Sequence, residues 1–427
     1  MNSVTYTRLL RSNGRFRNLW AGQVVSELGN WFNFIAELGL ARALSGSALA
    51  ASLIVAAHWF PFCVLAPFAG AIADRFPRRT MMVVADLARA AVALGFMAVT
   101  TPDRLWIAYV CAAAISSLSA FFDAAKNASM PNLARGPELL PATSLIHATR
   151  FLQMTVGALL GAVVSEAFGY RAAFGINALS FVVSALFVLR IPASALEPKA
   201  AAVADAARAS VRGLLADLGD AFAFMRSNPL VLAITTLNVA WALGGGMTQV
   251  INDRFGGIVF AAGDGRGDTG VAVLTGTAGI GLAIGMLVAR RVGDFVGSRD
   301  RVGAFVGWAI VASGALYAAG GAMPNLWLMA TMFAVSRVVL SAEYAVQDTV
   351  LLVAIPDHLR GKVCIIDRAL ELGTLSLAAL VAGALFAVLP PRAVPAIAGF
   401  LMGAPGFVWL FALARGRFRV PRHALGA

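Results

Sequence analysis

Apolar stretches of about 20 residues, the length that crosses a hydrocarbon core of roughly 30 Å, recur along this chain between short polar clusters. They fall near 18–43, 48–73, 80–100, 104–127, 142–168, 170–190, 229–254, 270–290, 301–321, 325–350, 364–389 and 393–414. Each is too long and too continuously apolar for a barrel strand, which alternates apolar and polar over about ten residues. The pattern predicts an all-α, polytopic membrane protein with twelve transmembrane helices. The first stretch outruns the roughly 7–15 apolar residues of a cleavable signal, and no small-residue cleavage site bounds it, so it is expected to remain as a helix.

One interval breaks the spacing. ASALEPKAAAVADAARASVRGLLADLGDAFAFMRSNP separates the sixth and seventh spans and divides the chain into 1–190, a first six-helix bundle, 191–228, a cytoplasmic linker, and 229–427, a second six-helix bundle. Within the linker Val211, Leu214, Leu215, Leu218, Phe222 and Met225 follow helical spacing, which predicts an amphipathic helix lying in the interface. The halves also repeat. DAAKNASMPNLARG after the fourth span and DTVLLVAIPDHLRG after the tenth share Asp, Pro and Arg-Gly at an offset of 225 residues, Asp123 matching Asp348. Parallel repeats of this kind predict a pseudo-two-fold axis along the membrane normal, with a central cavity.

Composition agrees: 59% of residues are hydrophobic and mean hydropathy is +0.78. The net charge of +12 would suit nucleic acid, but the basic residues are distributed for a membrane. Of the 34 Lys and Arg, 24 fall in loops on the side of the termini, 6 in loops on the other side and 4 inside spans. That bias places both termini in the cytoplasm, in a plasma or inner membrane, with the lipid bilayer rather than nucleic acid as partner. Cys63, Cys111 and Cys364 all lie in or beside apolar runs, so neither a disulfide framework nor a metal site is expected.

The densest charge cluster in the first half is GAIADRFPRR, residues 70–79. Asp74 ends the second span, where a carboxylate can pair with Arg75, Arg78 or Arg89 or face a helix N-terminus. Gly70 would let a neighbouring helix approach closely. The cluster is similar to the signature Gly-x-x-x-Asp-Arg-x-Gly-Arg-Arg/Lys of the major facilitator superfamily, with Pro77 in place of the second Gly. The second half keeps Gly285, Arg290 and Arg291 but has Ala289 where the acid would stand. FRNLWAGQVVSELGNWF, ADLARA and SAFFDAAKNASMPNL further resemble the drug and siderophore exporter branch, which includes macrolide and enterobactin efflux proteins. The resemblance implies a gate formed by Gly70, Asp74, Arg75, Arg78, Arg79, Asp86, Arg89 and Asp123, with Asp86 and Arg89, three residues apart, as a structural pair.

Charges inside spans are costly and mark candidate sites. Glu27, Asn30, Phe34 and Glu37 share one face of the first span, Asn238, Gly245, Gln249 and Asn252 one face of the seventh, and Arg337, Ser341, Tyr344 and Asp348 one face of the tenth. The family lines its cavity with spans one, four, seven and ten, so these stripes are expected on the cargo path. Glu27 and Glu37 are candidates for proton coupling, although Glu37 is near enough to the outer end to be simply hydrated. Arg337 is read either as a cargo or counter-ion contact or as half of a structural ion pair. His58 suits a local hydrogen bond or a proton relay; Asp367, Arg368 and Glu371, opening span eleven, suit structure or a gate.

No Gly-x-x-x-x-Gly-Lys-Ser/Thr loop is present, and the chain lacks His-Glu-x-x-His and Gly-x-Ser-x-Gly among its four histidines. Neither ATP drive, nor an enzyme, nor a cofactor or metal is expected. The expectation is a monomeric secondary transporter exporting an amphipathic small molecule, such as a drug, siderophore or metabolite, by proton antiport through alternating access. An importer or lipid translocator on the same fold, or a non-transporting receptor or scaffold, are the alternatives.

Overall fold

A computed structural model describes residues 6–73, 76–135, 138–196, 211–261 and 267–420. The chain forms helices α1 (Tyr6–Ser12), α2 (Gly14–Ser45), α3 (Ala48–Ala73), α4 (Arg78–Gly95), α5 (Leu105–Leu133), α6 (Leu139–Phe168) and α7 (Tyr170–Leu189). It continues with α8 (Val211–Ser227), α9 (Pro229–Gly245), α10 (Thr248–Arg254), α11 (Asp268–Gly297), α12 (Val302–Gly321), α13 (Leu326–Ala354), α14 (Asp357–Val388) and α15 (Ala393–Ala414). No strand occurs among the described residues.

Among the described residues ten helices are long and apolar enough to cross a membrane, not twelve. The first expected span, α2, is interrupted by polar groups including Glu27, Asn30, Asn33 and Glu37, and the fifth contributes a shorter apolar stretch, Leu152–Phe168. The seventh forms one span over Pro229–Val259: α9 runs into α10 through Gly246 and Met247, both with helical backbone angles, and on into a π-helical turn at Phe255–Val259. Asn238 stands on α9, and Gln249 and Asn252 on α10.

The chain divides into two compact units, Met1–Gly46 with Ala57–Leu214, and Ser47–Ala56 with Leu215–Ala427. In the first, α2 packs on α6 and α7, and α4 on α5 and α7. Its apolar core gathers Phe16, Leu19, Met82, Phe122, Leu133, Val188 and Leu196. Helix α2 opens with Asn13 accepting from the Phe16 N–H and closes at Gly46, whose φ of 63° and N–H to the Arg42 carbonyl form a left-handed cap.

In the second unit α12 packs on α15, and α11 on α13, with α9 against α14 and α15. Gly314 and Gly399 let α12 and α15 touch backbone to backbone: a Cβ on either would overlap the other's carbonyl oxygen. Without a hydrophobic drive between helices in lipid, such close van der Waals packing supplies much of the association. The linker helix α8 buries Ala221 and Met225 in this unit's core and leaves Phe222 exposed; the side chains of Val211, Leu214 and Leu215 lie outside those described.

Candidate functional site

The polar groups of the first unit sort into three clusters. At the ends of α3 and α5, buried Arg78 donates to the carbonyl of Ala128 at 2.8 Å and to those of Ala73 and Leu196 at 3.4 Å, and Arg79 donates to the carbonyl of Leu189. The two arginines therefore tie together carbonyls of separate segments, a role that topology alone does not require. Asp74 and Arg75 lie outside the described residues. A Cβ at Gly70 would meet no described atom within 4 Å.

Deeper in the unit, Asp86 and Arg89 are ion-paired and buried, with the guanidinium also donating to Ser119 at 3.2 Å. Its plane lies 4.6 Å from the Phe122 ring centre and 4.5 Å from that of Phe181, so both charge and π-faces are matched. Asp123 pairs with Lys126 one turn on, and Lys126 reaches Gln23 on α2 at 3.0 Å.

The third cluster spans α2 and α3. Glu37 has no exposed surface and holds His58 Nε2 at 2.6 Å from Oε2, while Asn33 donates to its other oxygen. Phe34 meets the imidazole edge-on at 5.2 Å, and the Ser116 hydroxyl of α5 donates to the His58 carbonyl at 2.6 Å. Glu37 is thus withdrawn from water rather than hydrated at the outer end. Glu27 and Asn30, on the same stripe, are half-buried and separate from this cluster. The carboxylate and the imidazole are in hydrogen-bond contact, with either ring tautomer compatible with the distance.

In the second unit, Gln347 of α13 donates to Asn238 of α9 at 2.5 Å, and Asn238 donates to Asp367 of α14 at 3.0 Å. One amide thus ties three helices. Arg368 and Glu371 pair at 2.7 Å on α14. Buried Asn252 meets Thr275 of α11 at 3.4 Å, and Gln249 is buried beside it. The tenth-span stripe is uneven: Arg337 and Ser341 are buried, Asp348 is half-buried and Tyr344 is exposed.

Arg337 takes part in no ion pair among the described residues, which sets aside its reading as half of one. The guanidinium instead sits 5.6 Å from the Tyr317 ring centre and 6.0 Å from that of Trp241. Three further residues were not among the candidates read from the sequence. Glu343, on α13, is buried at 1% exposure with no hydrogen-bond or ion-pair partner among the described residues. A lone acid in an apolar span was its available signal. Trp241 and Tyr317 gave no signal, since aromatic residues are ordinary in transmembrane helices.

A sequence profile of the Major Facilitator Superfamily matches residues 19–366. An uncharacterised transporter of that type from Bacillus subtilis (strain 168), YfiS, is 30% identical over 246 residues, 57% of either chain. Macrolide efflux protein A of Streptococcus pyogenes is 26% identical over 182 residues, 42% of this chain and 45% of that one. The alignments thus span about half the length of these curated relatives. Among solved structures, nucleoside transporter NupG superposes with a TM-score of 0.68 at 14% identity, over 93% of this chain and 99% of that one. An inward-facing bacterial homologue of the iron transporter ferroportin gives 0.66 at 16%, over 94% and 99%. At such identities the likeness is one of fold.

Proposed function

The chain belongs to the major facilitator superfamily, and from that premise we propose that it exports an amphipathic small molecule in exchange for protons. It is a multi-pass membrane transporter; the direction, the cargo class and the coupling ion are the parts proposed. Export is supported by the partial similarity to a macrolide efflux protein. Proton coupling is carried by the contact of buried Glu37 with His58. A carboxylate and an imidazole that share a proton inside a span can take up and release that proton without any cofactor. The bias of Lys and Arg towards the termini's side supports a cytoplasmic location for both ends in an inner or plasma membrane.

Export by proton exchange has a direct readout. In inverted vesicles acidified by respiration, adding an amphipathic cargo, a macrolide and an acidic fluorophore such as dansylglycine in separate runs, should release lumenal protons with at least one of them, followed as recovery of a quenched acidity-sensitive dye. Glu37→Gln keeps the size and the Asn33 contact but cannot cycle a proton. It should abolish the recovery while counterflow exchange of labelled macrolide persists. Undiminished recovery in a normally inserted Glu37→Gln protein would remove the Glu37–His58 couple from the coupling step. A macrolide flux running with protons in the same direction would mark uptake instead.

A further inference from the structure

We propose that the second unit holds an anion site at Arg337, and that the transported molecule therefore carries an acidic group; the second clause rests on the transporter reading above. Arg337 lies eleven residues into the 29-residue helix α13, roughly 16 Å along its axis at 1.5 Å per residue. Lipid headgroups do not reach that depth. The residue is only 9% exposed.

A buried guanidinium costs several kcal/mol unless a charge compensates it. The contacts present are weaker than that. Rings at 5.6 and 6.0 Å stand at the outer limit of cation–π attraction, which contributes about 2 kcal/mol when desolvated and well placed. No carboxylate among the described residues pairs with Arg337. Uncompensated positive charge is half of the observation.

The other half is the character of the neighbours. The indole N–H of Trp241 and the hydroxyl of Tyr317 are both buried without a hydrogen-bond partner. Buried polar groups are rarely left this way. All three side chains can donate, and an indole N–H and a guanidinium can only donate. Three donors on three helices, α9, α12 and α13, lie near one another with no acceptor paired to them among the described residues. That arrangement suits an acceptor that arrives with the cargo, a carboxylate or comparable oxyanion attached to an apolar body that the rings can flank.

The site is also held rigid. Phe333, one turn before Arg337 on α13, stacks on Tyr317 at 3.9 Å with the planes 6° apart. On the opposite side, Gly281 brings the α11 backbone against the stem: a Cβ there would come 3.0 Å from Arg337 Cβ. The guanidinium is positioned before any ligand binds, which lowers the ordering cost of binding.

Dansylglycine and dansylglycinamide test the assignment, because they share one fluorescent apolar body and differ in the carboxylate. Energy transfer from tryptophan to dansyl in the purified full-length protein reads their affinities. The acid should bind the wild type at least about tenfold tighter than the amide, equivalent to 1.4 kcal/mol. Arg337→Gln should remove that preference by weakening the acid alone, and Arg337→Lys should retain part of it. Trp241→Phe and Tyr317→Phe keep the rings and delete one donor each; both should narrow the preference severalfold, and they carry the test if Arg337→Gln does not fold. Equal binding of acid and amide, no binding of dansylglycine, or a preference surviving Arg337→Gln would each overturn the proposal. Full displacement of dansylglycine by excess chloride would mark a small inorganic anion's site and overturn the cargo assignment. The proton-release assay run with dansylglycine is independent: acid preference without proton release would sink the exporter reading and leave the anion site.

Discussion

Arg78→Lys separates two roles that the basic cluster after α3 combines. Lysine keeps the positive charge, so orientation in the membrane should not change. What it loses is the fork. One donor of Arg78 reaches the Ala128 carbonyl at 2.8 Å, and two longer contacts reach Ala73 and Leu196 at 3.4 Å. A hydrogen bond from a charged group contributes about 1.5–3 kcal/mol, and the two long contacts add only a fraction of that. A single ammonium can replace the short contact but not all three, so Arg78→Lys should cost about 1–2 kcal/mol and Arg78→Gln about 2–4 kcal/mol.

For a unit of this size each kcal/mol moves the melting temperature by about 2–4 °C. Cys111 is buried in the same unit and serves as the reporter. With Cys63 and Cys364 replaced by Ser, a thiol-reactive fluorophore added during heating of detergent-purified protein follows exposure of Cys111. Arg78→Lys should melt a few degrees below the parent and Arg78→Gln further below, both with unchanged topology by terminal accessibility. Parent-like melting in both would show that the three carbonyl contacts contribute nothing and that the arginine acts as a topology signal alone.

Two other perturbations follow from burial. Asp86→Asn strands the Arg89 guanidinium and should destabilise the first unit by about 3–5 kcal/mol, seen as loss of folded protein in detergent, while Asp86→Asn with Arg89→Gln should recover part of it. Glu343→Leu removes a polar group that has no partner and should raise the melting temperature of the second unit, read through Cys364 in a protein lacking the other two cysteines; a lower melting temperature would refute its isolation.

The helices were legible because an apolar run of membrane length admits little else, and most spans read from hydropathy fall within a few residues of the helices formed. The site was less legible because its contacts join positions far apart in the chain. Glu37 and His58 lie 21 residues apart, and Asn238 and Asp367 lie 129 apart. Spacing along one helix gave the stripes but not their partners.

The two units differ in how they treat buried charge. In the first, Asp86 has Arg89, Asp123 has Lys126 and Glu37 has His58. In the second, one helix carries both Arg337 and Glu343 without a partner for either among the described residues. Six residues separate them, which turns the two side chains to different faces of α13 and keeps them from neutralising each other. A fold that only needed to be stable would gain by pairing or deleting both, since each uncompensated charge in a span is expensive. On the proposals above, that cost is concentrated where a bound ligand would relieve it, whereas the buried charges named in the first unit already have partners within it.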